Sequence, residues 1–62
     1  MNDADTVAGA YADALKGLYK VLSSSYLMAA GDRQAEKQAD DAFKAGLALA
    51  RKVRDQAIVL LR

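Results

Sequence analysis

Residues 27–36 read Leu-Met-Ala-Ala-Gly-Asp-Arg-Gln-Ala-Glu and contain the one strong break in an otherwise helix-forming chain. Glycine suits the left-handed residue that follows a helix end, and aspartate is a favoured N-cap. Gly31 and Asp32 therefore predict that one helix ends and another begins here. On both sides of this step little opposes helix, because the 62-residue sequence has no proline and contains 14 alanines.

The break predicts an all-α fold, an antiparallel two-helix hairpin that forms a single domain over residues 1–62. Helix 1 is expected over about residues 5–30, the turn at 31–32 and helix 2 over about 32–62. So short a connection makes the two helices antiparallel neighbours, and a single bent helix is the alternative.

Periodic apolar residues predict the seam between the two helices. Helix 1 offers large side chains, whereas helix 2 offers small ones with the alternating spacing of a coiled coil. The predicted intra-hairpin seam consists of Tyr11, Leu15, Leu18, Leu22, Ala35, Ala39, Ala42, Gly46, Leu49 and Val53. Glycine in a helix interior costs about 1 kcal/mol, so Gly46 indicates a close contact. Alternatively, the alanines only fill helical positions. Gly9 and Gly17 are interpreted as surface glycines.

Apolar residues outside this seam predict self-association. Residues 57–61 are apolar around the whole helix, which is typical of a segment buried on more than one side. A domain of about 60 residues without disulfides is also marginally stable alone. The predicted oligomer interface comprises Phe43, Leu47, Ile58, Val59, Leu60, Leu61, Leu27 and Met28. The expected partner is a second copy or another helical protein, in a closed four-helix bundle or an open filament. Scattered surface apolar residues are the alternative.

The sequence predicts no enzymatic site. It contains no histidine and no cysteine. Asp40 and Asp41 are adjacent in a helix, so their carboxylates diverge and do not form a catalytic dyad. No catalytic, metal-binding or cofactor-binding residue is therefore predicted.

One face of helix 2 carries a basic stripe that is a candidate for contact with phosphates. The possible phosphate-facing residues are Arg33, Lys37, Lys44, Arg51 and Arg62. Asp40 and Asp55 interrupt the stripe, and the net charge of the chain is only +1. A solvated face is therefore favoured over nucleic-acid binding.

The chain shows no sign of a membrane span or a secretory leader. Its start is acidic, and the longest uncharged run, residues 21–31, is about half the roughly 20 residues that a span requires. We expect a soluble, cytoplasmic protein, or one exported without a cleavable signal peptide if it forms filaments.

Three function hypotheses follow. The first is a non-enzymatic, self-assembling hairpin that acts as a scaffold, interaction module or small regulator. In its helix-turn-helix plan the chain is similar to the plasmid RNA-binding protein Rop, which implies a nucleic-acid regulator. The apolar, basic end at residues 57–62 resembles that of type III secretion needle subunits, which implies a filament subunit, although the proline-containing turn of that family is missing.

Overall fold

The computed structural model describes residues 2–62 and consists of two α-helices packed against each other. The first helix, α1, spans Asp3–Ala29, and the second, α2, spans Arg33–Leu60. Leu18 lies against Gly46, and Tyr26 lies against Asp40, so the two helices run in opposite directions. The prediction of an all-helical chain with two packed helices is confirmed. The Cα atoms extend over 46 × 18 × 7 Å, so the hairpin is a flat, single layer.

Each helix begins at a polar side chain that caps it. The Asn2 side chain accepts a hydrogen bond from the Asp5 amide at 2.8 Å, so α1 starts two residues before the expected position. The Asp32 carboxylate accepts hydrogen bonds from the amides of Gln34 and Ala35. These side chains satisfy amides that have no partner within the first turn of a helix.

The connection between the helices uses two left-handed residues. Ala30 has φ 50° and ψ 41°, and Gly31 has φ 85°. The Asp32 amide then donates a hydrogen bond of 2.9 Å to the Ala29 carbonyl, which closes the turn. Helix α1 therefore ends one residue earlier than expected, because Ala30 has already left the right-handed helical conformation.

The structure differs from the predicted seam in the rotation of α2. On α1, the predicted seam residues are half-buried: Tyr11, Leu15, Leu18 and Leu22. On α2, Ala35 and Gly46 are half-buried and Ala39 is buried, as the seam requires. Ala42, Leu49 and Val53 are exposed instead and line open grooves between the helices.

The α2 residues expected at the oligomer interface partly replace them. Phe43, Leu47 and Ile58 are half-buried within the hairpin. The physical reason is side-chain volume: turning Phe43 inward covers more apolar area than turning Ala42 inward, and hydrophobic stabilisation is proportional to that area. The same rotation brings Asp40 to Tyr26 and Arg54 to Tyr11.

The hairpin encloses very little core. Within the described part of the chain, Ala39 is the one buried residue. Large apolar side chains remain on the surface of both helices; those more than one third exposed are Tyr19, Val21, Tyr26, Leu27, Met28, Leu49, Val53, Val59, Leu60 and Leu61. Neither described helix combines the length and hydropathy needed to cross a membrane.

Candidate interaction surfaces

One broad side of the flat hairpin carries no charged side chain near its middle. We call it the uncharged face. Both helices contribute to it, and its residues are Ala14, Gly17, Val21 and Met28 from α1 and Ala35, Gln38, Ala42, Leu49, Val53, Gln56 and Leu60 from α2. Lys52 lies at its edge. The face extends from the turn to the end of α2.

The middle of the uncharged face is an open groove between the helices, with a volume of about 590 Å³. Val21 of α1 and Leu49 and Val53 of α2 line it, together with Ala14 and Gly17. Leu49 and Val53 are 61% and 60% exposed. These two side chains, predicted to join the helices, are instead available on the outside of the hairpin.

On α2, the opposite broad side of the hairpin is charged. The basic stripe lies there, and all five predicted phosphate-facing residues are exposed: Arg33, Lys37, Lys44, Arg51 and Arg62. Lys37 forms an ion pair with Asp41 at 3.1 Å, and Asp40 and Asp55 interrupt the stripe. Exposed pairs of this kind contribute only about 0–1 kcal/mol, so the stripe is a solvated, mixed-charge surface.

Two contacts between the helices hold polar groups at the margin of the charged side. The Tyr26 hydroxyl donates a hydrogen bond to the Asp40 carboxylate, with an O···O distance of 2.5 Å. This bond raises the pKa of Tyr26 to about 12, and desolvation and the negative charges of Asp40 and Glu36 act in the same direction. The Arg54 guanidinium lies 4.5 Å from the centre of the Tyr11 ring, in a cation–π contact.

The two ends of the hairpin also expose apolar side chains. At the turn, Met28 is 87% exposed and Leu27 is similarly uncovered. At the other end Val59, Leu60 and Leu61 are exposed. Of the predicted oligomer interface, these five residues are therefore accessible to a partner, whereas Phe43, Leu47 and Ile58 are partly used within the hairpin.

The sequence interpretation missed the part of the uncharged face that α1 contributes. The sequence assigns Gly17 only to the polar surface and gives Ala14 and Val21 no role, because the apolar stripe of α1 is centred on Tyr11 and the leucines. The sequence does contain a signal for this surface. Positions 14, 17 and 21 are three or four residues apart, which places them on one side of a helix, and none of the three carries a charged side chain. In residues 2–62 no three Asp or Glu side chains come together as a metal site.

Comparisons of this chain with protein-family models, with characterised proteins and with solved structures find no match in any of the three.

Proposed function

We propose that this protein is a non-enzymatic, self-associating helical hairpin that serves as a protein–protein interaction module or small scaffold. The observation that supports this role is the mismatch between buried and exposed apolar surface. Within residues 2–62 a single alanine is buried, while leucines, valines and a methionine line one broad side and both ends. Contiguous apolar surface of this extent marks interaction sites in soluble proteins.

A filament subunit is a second candidate, favoured by the apolar residues at both ends of the hairpin. Leu27 and Met28 lie at the turn, and Leu60 and Leu61 lie at the opposite end. A head-to-tail contact between unlike ends builds a helical filament when the rotation between neighbouring copies does not close into a ring.

A nucleic-acid regulator is the third candidate, and the one that the charges support least. The exposed basic residues of α2 lie along one face that could follow phosphates, but Asp40 and Asp55 interrupt that face. Binding through such a stripe weakens steeply with salt. Retention of RNA or duplex DNA at low salt, lost as salt rises, would favour this role over the scaffold.

Light scattering coupled to size exclusion tests the proposed function directly. We expect a mass that is a small multiple of the 6.6 kDa chain and constant over a wide concentration range. Growth of the mass with concentration would favour the filament. A folded, monomeric chain at high micromolar concentration would contradict self-association.

Substitutions at the C-terminal end test whether that end takes part. Leu60→Asp and Leu61→Asp are expected to reduce the mass, because a buried carboxylate without a partner is strongly unfavourable. Lys44→Ala, on the charged side, is the control and should leave the mass unchanged. An unchanged mass in both aspartate variants would exclude the C-terminal end from the interface.

A further inference from the structure

One broad side of the hairpin is uncharged near its middle, and the other carries the charged residues of α2. We therefore propose that the uncharged face binds a second copy of the same chain, with the two turns at opposite ends of the dimer. This arrangement depends on the self-association proposed above and specifies its surface, its partner and its orientation. The dimer would be a four-helix bundle in which the charged sides of both hairpins face the solvent.

The size of the uncharged face matches what a stable interface requires. The hairpin is 46 Å long and 18 Å wide, which gives each copy a face on the order of 800 Å², the area that each partner buries in a standard interface. The flatness of the hairpin, 7 Å across its Cα atoms, makes the whole face available to one partner at once. A second copy covers Val21, Leu49 and Val53 together.

The distribution of large and small residues makes the uncharged face complementary to itself. On this face of α2, Ala35, Gln38 and Ala42 precede Gly46, and the apolar Leu49 and Val53 follow it. A two-fold axis at the level of Gly46, perpendicular to the helices, stacks α2 on α2 of the second copy. Leu49 then lies over Ala42, where a large side chain fills the space that a small one leaves, and Val53 lies over the aliphatic part of Gln38.

The same axis produces the same match on α1. Gly17 lies level with Gly46, since Leu18 contacts Gly46. Rotation about this level places Val21 of one copy over Ala14 of the other. A Cβ atom added at Gly17 would meet nothing within 4 Å in the hairpin, so this glycine leaves room on the outside of the molecule, where the second copy approaches.

The orientation with the turns at opposite ends of the dimer is favoured because it leaves the Asp3 carboxylate in water. Asp3 lies on the same side of α1 as Val21, since one residue advances by about 100° along a helix. With both turns at one end, α2 would stack on α1 of the second copy, and Asp3 would face Leu60. With the turns at opposite ends, Asp3 extends past the end of α1 of the second copy, because that helix stops at Ala29.

A pair of glycine variants tests the face. Gly17 lies on the uncharged face, whereas Gly9 lies about 80° around the helix from it, toward the outer side of α1. Both glycines are in α1, and both have open space within the hairpin. Gly17→Glu and Gly9→Glu therefore change charge and helix propensity in the same way. We expect Gly17→Glu to weaken dimerisation at least about 100-fold, measured by sedimentation or light scattering, because its carboxylate would be desolvated in the interface. Gly9→Glu should leave dimerisation within about 3-fold of the parent, because its carboxylate would stay in water.

The outcomes separate the two proposals. A dimeric parent with equal dimerisation in both variants would overturn the uncharged face and leave self-association standing. A monomeric, folded parent would overturn the proposed function itself. Loss of the dimer in Gly17→Glu alone supports the face even if the released monomer unfolds, since the Gly9→Glu variant carries the same change.

A distance measurement tests the orientation. The chain contains no cysteine, so a spin label at Gln34→Cys, next to the turn on an exposed position, reports one distance between copies. With opposite turns the labels are about 35–40 Å apart, from 1.5 Å of rise per residue on each side of the axis. A distance below about 25 Å, removed by mixing with excess unlabelled protein, would overturn the proposed orientation.

Discussion

Individual side chains decide how the two helices are rotated against each other. The hydrogen bond from Tyr26 to Asp40 and the stacking of Arg54 on Tyr11 both cross between the helices on the same margin. When α2 is rotated so that Phe43 faces α1, Asp40 and Arg54 come to this margin. The two contacts give these charged side chains partners on α1. Polar and apolar contacts therefore favour the same rotation of α2.

The Tyr26 hydroxyl predicts a loss of stability at high pH. Its pKa rises from an ordinary value of 10.0 to about 12, chiefly because the hydrogen bond to Asp40 holds the proton and also because ionisation would place a second negative charge against that carboxylate. Between these values the unfolded chain releases the proton while the native state retains it, so the stabilisation is complete below pH 10 and is lost as the pH rises toward 12.

We expect Tyr26→Phe to be less stable than the parent in urea at pH 8, and the difference to shrink at pH 11. Unfolding curves of both proteins at the two pH values measure this. Tyr19→Phe, at an exposed tyrosine, is the control for the loss of a hydroxyl. A difference between Tyr26→Phe and the parent that is equal at both pH values would contradict the role of the hydrogen bond.

At the scale of the elements, the turn and the close approach of the helices determine the hairpin. A non-glycine residue in the left-handed region costs about 1–2 kcal/mol, and Ala30 occupies that region before Gly31 does. On the helices, Gly46 accommodates Leu18 where any larger side chain would collide with it. Both features are local, and each can be tested by one substitution.

Ala30→Gly is expected to stabilise the hairpin by about 0.5–1 kcal/mol. Glycine removes the conformational cost at φ 50°, although part of the gain is offset by the greater entropy of the unfolded chain. Ala12→Gly, in the middle of α1, is the matched control and should destabilise by about 1 kcal/mol. Chemical denaturation followed by circular dichroism measures both, and a destabilised Ala30→Gly variant would show that the turn is not left-handed at this residue.

Gly46→Leu is expected to destabilise by about 1–3 kcal/mol through overpacking. Even a Cβ atom at this position would lie 2.5 Å from a methyl carbon of Leu18. Gly9→Ala, in open space, is the control and should stabilise by about 0.5–1 kcal/mol, as alanine normally does in a helix. Equal stability of Gly46→Leu and the parent would mean that the helices are farther apart at this level.

At the scale of the whole molecule, the hairpin has the shape of half a bundle. The hairpin is a layer one helix thick, and Ala39 is the one buried residue among those described. Most of its apolar surface would therefore be removed from water only by packing against a second layer. Under the proposed self-association, the second copy would supply much of the stability, since packing of amphipathic faces supplies most helical stability. Folding and assembly are therefore expected to be coupled.

Coupled folding and assembly predict a melting temperature that depends on protein concentration. Mass action favours the associated native state, so the midpoint should rise by several degrees between about 5 and 500 µM. Circular dichroism at 222 nm in cells of different path length measures it. A midpoint that does not change over this range would show that the hairpin is stable without a partner.

What the sequence alone determined is the helical architecture. The absence of proline, the abundance of alanine and the Gly31-Asp32 step specify two helices and their turn, because helix propensity and capping are local properties. The small Gly46 opposite a leucine was also predictable from the cost of glycine in a helix.

The tertiary structure alone decided which side of α2 faces α1. The apolar residues of α2 span a wide arc, and the sequence offered two faces, one with Ala42, Leu49 and Val53 and one with Phe43, Leu47 and Ile58. The choice depends on volumes and polar partners contributed by α1, which lies far away along the chain, and periodicity within one helix does not contain that information. For the same reason the uncharged face became visible only when both helices were in place.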